Sequence, residues 1–443
     1  MSSERPRVCV IGAGSSGITA CQNLLEKGLE FECYEKGSRV GGNWRYENDN
    51  GMSAAYKSLH INTSRQMMCY AKYPMPEDYP DYPDHFQIAE YFDRYVDHFG
   101  LGERISFNTE VLKVDCVQGG AWQVRISDEV GERIEKFTDV MVCNGHHWDA
   151  RWPEPAFPGS DSFEGLQMHA HDYRTPEMFD GKRVLVLGIG NSATDISVES
   201  SRTADRTFLA MRRGAWIVPK YLGGVPSDKA TTGPMARAPL SVQSKFLKTA
   251  LRLSVGKPED YGLPKPDHEP LHAHPTVSDE LLGRLGHGDI TVKPNIERLE
   301  GDSVVFTDGS HEQIDVIIYC TGYRITFPFF DKTVVNAQDN QVDLYHRVAS
   351  IDHPGLYFIG LVQPLGAIMP LSEAQSEWVT DLIRGDARLP GRAAMARDIA
   401  KEQSAMKRRY VSSKRHTIQV DFDPYLRTIS RERERSRARA GSA

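Results

Sequence analysis

The chain has 443 residues, 40% apolar and 26% charged, with a formal net charge of −7. That suits about two or three globular domains and implies no nucleic-acid-binding surface. No apolar run reaches bilayer length, and Met1-Ser2-Ser3-Glu4-Arg5-Pro6 lacks the apolar core of a signal peptide. Seven cysteines without C-x-x-C spacing argue against a disulfide framework, a metal site or a dithiol centre, and point to a reducing cytoplasm.

Residues 7–36 read as strand, turn, helix and strand. Val8-Cys9-Val10-Ile11 runs into the turn Gly12-Ala13-Gly14-Ser15-Ser16-Gly17, and a helix follows to Lys27 with Gly28 as its stop. Gly12 makes the tight turn, Gly14 lets the backbone approach a pyrophosphate, and Gly17 permits close helix–strand packing. The helix N-terminus then offers free N–H groups to phosphate. The next strand, Phe31 to Glu35, ends in an acid about twenty residues beyond the turn, the ribose-binding place of a dinucleotide βαβ unit. A turn that binds nothing is the bland alternative, and the coincidence of all these parts weighs against it.

Residues 70–84, rich in Tyr, Pro and Asp, read as loop; a helix follows at about 86–99, and alternating strands span 105–143. The Trp- and Pro-rich stretch 146–159 reads as a connection between domains. A second glycine turn, Gly188-Ile189-Gly190-Asn191-Ser192-Ala193, follows Val184-Leu185-Val186-Leu187. The strand after its helix ends without an acid and runs into Arg212-Arg213, which suits a ribose 2′-phosphate and so NADPH over NADH. Two arginines at a solvated strand end are the competing explanation. Two such turns in one chain suggest two dinucleotides and electron transfer between them. Residues 222–275, rich in Pro, Lys and His, read as an insertion. Strands return at 290–320, and a helix starts near Ser372. The final stretch, Arg431 to Ala443, alternates charges and reads as frayed and solvated. Between the turns lies Phe163-Glu164-Gly165-Leu166-Gln167-Met168-His169-Ala170-His171-Asp172-Tyr173, an F-x-G-x-x-x-H-x-x-x-Y spacing to which the residues alone assign no chemistry.

These motifs in combination resemble the flavin-containing monooxygenases, single-component class B flavoproteins. The resemblance is carried by the first glycine turn with Glu35, Gly41-Gly42-Asn43-Trp44, Phe163 to Tyr173, Gly188 to Asp195, and Cys320-Thr321-Gly322-Tyr323. Tyr56-Lys57-Ser58 with Asn62-Thr63-Ser64-Arg65-Gln66-Met67-Met68, and Gln363 to Pro370, are similar to the animal enzymes almost word for word. Two departures stand out: Asn43 replaces a leucine common before the tryptophan, and Cys320 replaces the usual alanine of A-T-G-Y.

The resemblance implies an α/β fold with two Rossmann-like dinucleotide-binding domains. Residues 1–150 and 324–443 would form an FAD domain, and 151–323 an NADPH domain inserted into it. It implies an NADPH- and O2-dependent enzyme that oxygenates soft nitrogen or sulfur atoms of a small-molecule amine or sulfide through a C4a-hydroperoxyflavin. Such chemistry is carried by the cofactor and needs no acid–base pair from the protein. Asn62 is implied at the flavin–nicotinamide junction, where an amide can donate and accept without titrating. Gly12 to Gly17, Glu35, Lys36, Gly42, Asn43, Trp44, Ile61, Asn62, Thr63 and Gln363 would hold FAD. Gly188, Gly190, Asn191, Ser192, Ala193, Thr194, Asp195, Arg212 and Arg213 would hold NADPH. His169 and Tyr173 fall to a coupling segment with a structural role. The apolar C-terminal anchor of the animal enzymes is missing, which implies a soluble, bacterial-type, cytoplasmic member that admits a homodimer. A Baeyer–Villiger ketone monooxygenase is the alternative, disfavoured because Tyr173-Arg174 stand where that sister group has Trp followed by Pro or Asp. A flavin disulfide reductase would need a cysteine pair. A non-catalytic FAD-binding protein would have little use for the second turn.

Overall fold

The computed structural model describes residues 5–117, 120–229, 238–410 and 417–442, so part of the expected insertion, 230–237, lies outside the described residues. The chain divides into two compact units. One comprises Met1–Ala55, Leu59–Asp149 and Arg324–Ala443; the other comprises Tyr56–Ser58 and Ala150–Tyr323. Tyr56–Ser58 thus group with the second unit, apart from their neighbours in sequence.

In chain order the elements that position the site are β1 (Arg7–Ile11), α1 (Ser15–Glu26), β2 (Glu30–Tyr34), α2 (His85–Phe99), β3 (Ile105–Ser106), β4 (Asp139–Val142), β5 (Leu166–His169), β6 (Arg183–Leu187), α3 (Asn191–Thr203), β7 (Arg206–Ala210), β8 (Ile290–Lys293), β9 (Val316–Tyr319), β10 (Leu344–Tyr345), β11 (Ala349–Ser350), β12 (Leu356–Phe358), α4 (Met369–Arg384) and α5 (Phe422–Gly441).

The first unit is built on a seven-stranded sheet of order β10-β11-β12-β4-β1-β2-β3, with β12, β4, β1, β2 and β3 parallel. Val8, Cys9 and Val10 of its central strand are fully buried, as expected of a parallel strand covered on both faces. α1 and α2 pack on one face through Ile18, Leu24, Ile88, Tyr91, Phe92 and Tyr95. Asp84 caps α2 reciprocally with Gln87, and Gly100 ends it at φ 64°. The second unit repeats the plan in a five-stranded parallel sheet, β8-β7-β6-β9-β5. Two Rossmann-like α/β sheets are thus present, each with a glycine turn after its central strand.

The charged stretch from Arg431 to Gly441 does not fray. α5 runs to Gly441 and buries Tyr425, Ile429, Glu432 and Ser436, spaced by fours and threes along one face. That face meets α4: Gln375 Nε2 donates to Tyr425 Oη at 2.7 Å, and Trp378 Nε1 to Ser436 Oγ at 3.2 Å. Arg433 and Arg437 converge on the fully buried Asp381 carboxylate at 2.6 and 2.8 Å. The charge alternation suggested a solvated tail because it masks this narrow stripe. No helix among the described residues is long and apolar enough to cross a membrane.

Candidate functional site

In the first unit, β1 delivers the chain to Gly12 at φ 94°, where a Cβ would lie 2.9 Å from the Cys143 carbonyl oxygen. A Cβ on Gly17 would lie 1.8 Å from the Gly12 carbonyl oxygen, so only glycine lets α1 start against its own turn. α1 has Gly14 as an extended N-cap and no side-chain cap, which leaves its first-turn N–H groups available to an anion. Gly42, at φ 52°, brings a second backbone loop alongside: its Cβ would sit 3.2 Å from Gly14 Cα. Gly41 N also donates to the Ala13 carbonyl at 3.1 Å. Two side-chain-free backbones thus face each other at the place a pyrophosphate needs, and the residues fit a dinucleotide.

Glu35 is 4% exposed. Its Oε2 accepts from Ala13 N at 2.7 Å, and its Oε1 from Gly37 N at 2.9 Å and Asn50 Nδ2 at 3.2 Å. The acid therefore orders the glycine turn itself and keeps acceptor capacity for a ribose hydroxyl. Asn50 was not foreseen; only its Asn-rich turn, Glu47-Asn48-Asp49-Asn50-Gly51, marked it. Asn43 folds its own loop, with Oδ1 accepting from Ala54 N at 2.8 Å, and Asn48 Nδ2 donates to the Gly42 carbonyl at 3.0 Å. Lys36 is turned to the surface and pairs with Glu110 at 2.9 Å. Ile61 is fully buried, Thr63 is 8% exposed, and Asn62 between them is half-buried. Gln363 opens a short strand, Gln363–Leu365, paired in parallel with Gln419–Asp421.

In the second unit, Gly188 has φ 142°, and its Cβ would lie 2.8 Å from the Cys320 carbonyl oxygen. α3 likewise starts at an extended glycine, Gly190, with no side-chain cap. Asn191 Oδ1 accepts from Val277 N at 2.8 Å, and Thr276 Oγ1 donates to the Ile189 carbonyl at 2.6 Å, which fastens strand 276–277 to the turn. Ser192 is half-buried and Ala193 fully buried. Thr194 is also fully buried, and its hydroxyl turns back to Asn191 O at 2.8 Å. Asp195 accepts from Tyr56 Oη. The side chains of Thr194 and Asp195 are thus committed inside the unit. Arg212 and Arg213 are exposed just beyond β7. Arg213 reaches Asp267 at 3.6 Å, whereas Arg212 makes no ion pair among the described residues.

His169 Nδ1 accepts from His171 N at 3.0 Å, and burial drives the imidazole pKa down to about 4, so the ring is neutral. It packs near Trp152 and Tyr323. Tyr173 is fully buried, stacks on Phe179 at 5.6 Å, and donates to Glu199. Sequence reasoning missed Glu199, which shares a helix face with Asp195.

The family model of flavin-binding monooxygenase-like proteins matches residues 5–434. The chain belongs to this family. Flavin-containing monooxygenase 5 of Rattus norvegicus is 40% identical over 441 residues, covering 96% of this chain and 82% of the relative. Flavin-containing monooxygenase 2 of Homo sapiens is 35% identical over 443 residues with the same coverage. Among solved structures, S-allyl-L-cysteine S-oxygenase from Allium sativum superposes with TM-score 0.73 at 27% identity, covering 100% of this chain and 93% of that one. The OTEMO complex with FAD and NADP superposes with TM-score 0.73 at 18% identity, a likeness of fold alone. The chain is an FAD- and NADPH-using flavin monooxygenase. Nothing in these relatives supports the bacterial-type assignment.

Proposed function

We propose that this flavin monooxygenase transfers one oxygen atom from O2 to a soft nitrogen or sulfur atom of a small amine or sulfide. NADPH and a proton would supply the reducing equivalents, and water and NADP+ would leave with the oxygenated product. The reading is carried by the two uncapped, glycine-lined helix starts: one is ordered by Glu35, and the other is followed by exposed arginines. The relatives add chemistry: the 34% identical rat enzyme is named dimethylaniline monooxygenase [N-oxide-forming] 2, and the Allium protein is an S-oxygenase.

FAD, when bound, supplies the hydride acceptor and the oxygen-activating centre. The backbone of Gly12–Gly17 and Gly42 would hold its pyrophosphate, Glu35 its ribose, and Gln363 would lie beside its ring. The first turn of α3 would hold the NADPH pyrophosphate, and Arg212, whose guanidinium pairs with no acid among the described residues, its 2′-phosphate. Asn62 would act through its amide, which donates and accepts without titrating. The test is a panel of tertiary amines and sulfides, scored as oxygenated product and hydrogen peroxide per NADPH consumed. The protein should be yellow, bleach anaerobically with NADPH, and yield N-oxide or S-oxide. Asn62→Ala should keep its FAD and divert NADPH to peroxide. A yellow protein that NADPH does not bleach would overturn the reading.

A further inference from the structure

Tyr56-Lys57-Ser58 precede Asn62 by a few residues, yet they fold with the second unit. Four contacts hold them there. Tyr56 Oη donates to Asp195 Oδ2, and Ser58 Oγ donates to Glu199 Oε1. Lys57 N donates to the Arg174 carbonyl at 2.9 Å, and the Tyr56 and Tyr173 rings lie 5.8 Å apart. Tyr173 Oη completes the set by donating to Glu199 Oε2. Asp195 and Glu199 are four apart on α3 and so share a face.

This is a costly way to pack a helix. Burial pushes both carboxyl groups above their ordinary range, Asp195 to about 6. Two acids turned inward are tolerated only where donors meet them. Here Tyr56 and Ser58 of segment 56–58 and Tyr173, the last residue of the F-x-G-x-x-x-H-x-x-x-Y run, supply hydroxyl donors, and Lys220 and Arg202 add positive charge nearby. From Ser58 the chain reaches Asn62 in four steps, at most about 14 Å of extended backbone. Beyond Ser58 the stretch is held by His85 N, which donates to the Leu59 carbonyl at 2.9 Å, and by Ile61 N, which donates to the Pro83 carbonyl at 3.1 Å, so Ser58 fixes one end of the short segment that carries Asn62.

We propose that Asp195 and Glu199 are positioning residues: through Tyr56, Ser58 and Tyr173 they tether the segment leading to Asn62 to the helix that opens the second glycine turn, and thereby keep NADPH oxidation coupled to oxygen transfer. The proposal rests on the role given to Asn62 above. It gives a function to Tyr173, for which the motif alone offered none.

Tyr56→Phe and Ser58→Ala each remove one hydroxyl and leave the backbone intact. Each should raise hydrogen–deuterium exchange in the 55–63 peptide and raise the peroxide released per NADPH about fivefold, as expected for one lost hydrogen bond. Bound FAD and the anaerobic rate of flavin reduction by NADPH should stay unchanged. Glu199→Gln, which keeps one acceptor oxygen, should retain coupling that Glu199→Ala loses. In an Asn62→Ala background Tyr56→Phe should add nothing, because the tether acts through Asn62. Unchanged exchange and unchanged peroxide in both hydroxyl variants would overturn the proposal, as would full additivity with an Asn62→Ala variant that itself leaks peroxide. If Asn62→Ala stays coupled while Tyr56→Phe and Ser58→Ala leak peroxide and exchange faster, the tether is supported and the role of Asn62 is refuted.

Discussion

Glu35 offers the sharpest test of how the first glycine turn works. Its carboxylate faces three donors: Ala13 N at 2.7 Å, Gly37 N at 2.9 Å and Asn50 Nδ2 at 3.2 Å. In Glu35→Gln the carboxamide keeps one acceptor oxygen and turns an NH2 group toward another donor. At least one buried backbone N–H then loses its partner, which costs about 1–3 kcal/mol. If the orphan is Ala13 N, the cost falls on the pyrophosphate turn itself, and a loss near 2 kcal/mol weakens FAD binding roughly thirtyfold. Asn50→Ala removes only the longest of the three bonds and should weaken binding by about fivefold. Equilibrium dialysis, read by the fluorescence of released FAD, gives both constants. The reasoning fails if Glu35→Gln binds FAD within about twofold of the unaltered protein. It fails equally if Asn50→Ala is the weaker binder of the two.

Arg212→Ala should raise the KM for NADPH by about tenfold or more and leave that for NADH unchanged, because only NADPH carries the 2′-phosphate; equal effects in steady-state kinetics would exclude Arg212 from that contact. Stability should also depend on Asp139, whose carboxyl burial raises from 3.8 to about 6 while Thr138 Oγ1 donates to it at 2.7 Å. The folded state holds that proton more tightly than the unfolded chain. Its stabilisation is therefore complete below the unfolded value near 3.8 and is lost as pH rises through 6. Asp139→Asn should match the unaltered protein near pH 4 and exceed it by about 3 kcal/mol near pH 8, measured by denaturant titration at both pH values.

What the sequence made legible is local. The two glycine turns, the acid closing β2 and the missing acid after β7 each depend on residues within one βαβ unit, and the structure puts each where the spacing requires. What stayed hidden is bonding over long separations. Asn50 supports Glu35 from 15 residues away, Tyr56 meets Asp195 across 139, and Ser58 meets Glu199 across 141. No periodicity announces such pairs. The C-terminal helix was hidden differently: its buried face is a single stripe of four residues at helical spacing, two of them Glu432 and Ser436, so a hydropathy reading saw only charge.

The run Gly188 to Asp195 shows where motif reading and helix geometry part. A resemblance carries the whole run to the nucleotide, but a helix presents an anion only with the N–H groups of its first turn. α3 begins at Asn191, so Thr194 and Asp195 stand fourth and fifth along it, past that turn. Their side chains face what packs beside the helix, and there Thr194 returns to Asn191 O while Asp195 takes the Tyr56 hydroxyl. An aspartate needed by the nucleotide would belong to the loop before α3 or to the end of β7, as Glu35 follows β2. Asp195 lies one helical repeat before Glu199, whose two oxygens also take hydroxyls from Ser58 and Tyr173. The motif's acid thus reads as half of an inward pair that holds the chain, while backbone N–H groups at the helix start are left to hold the phosphate.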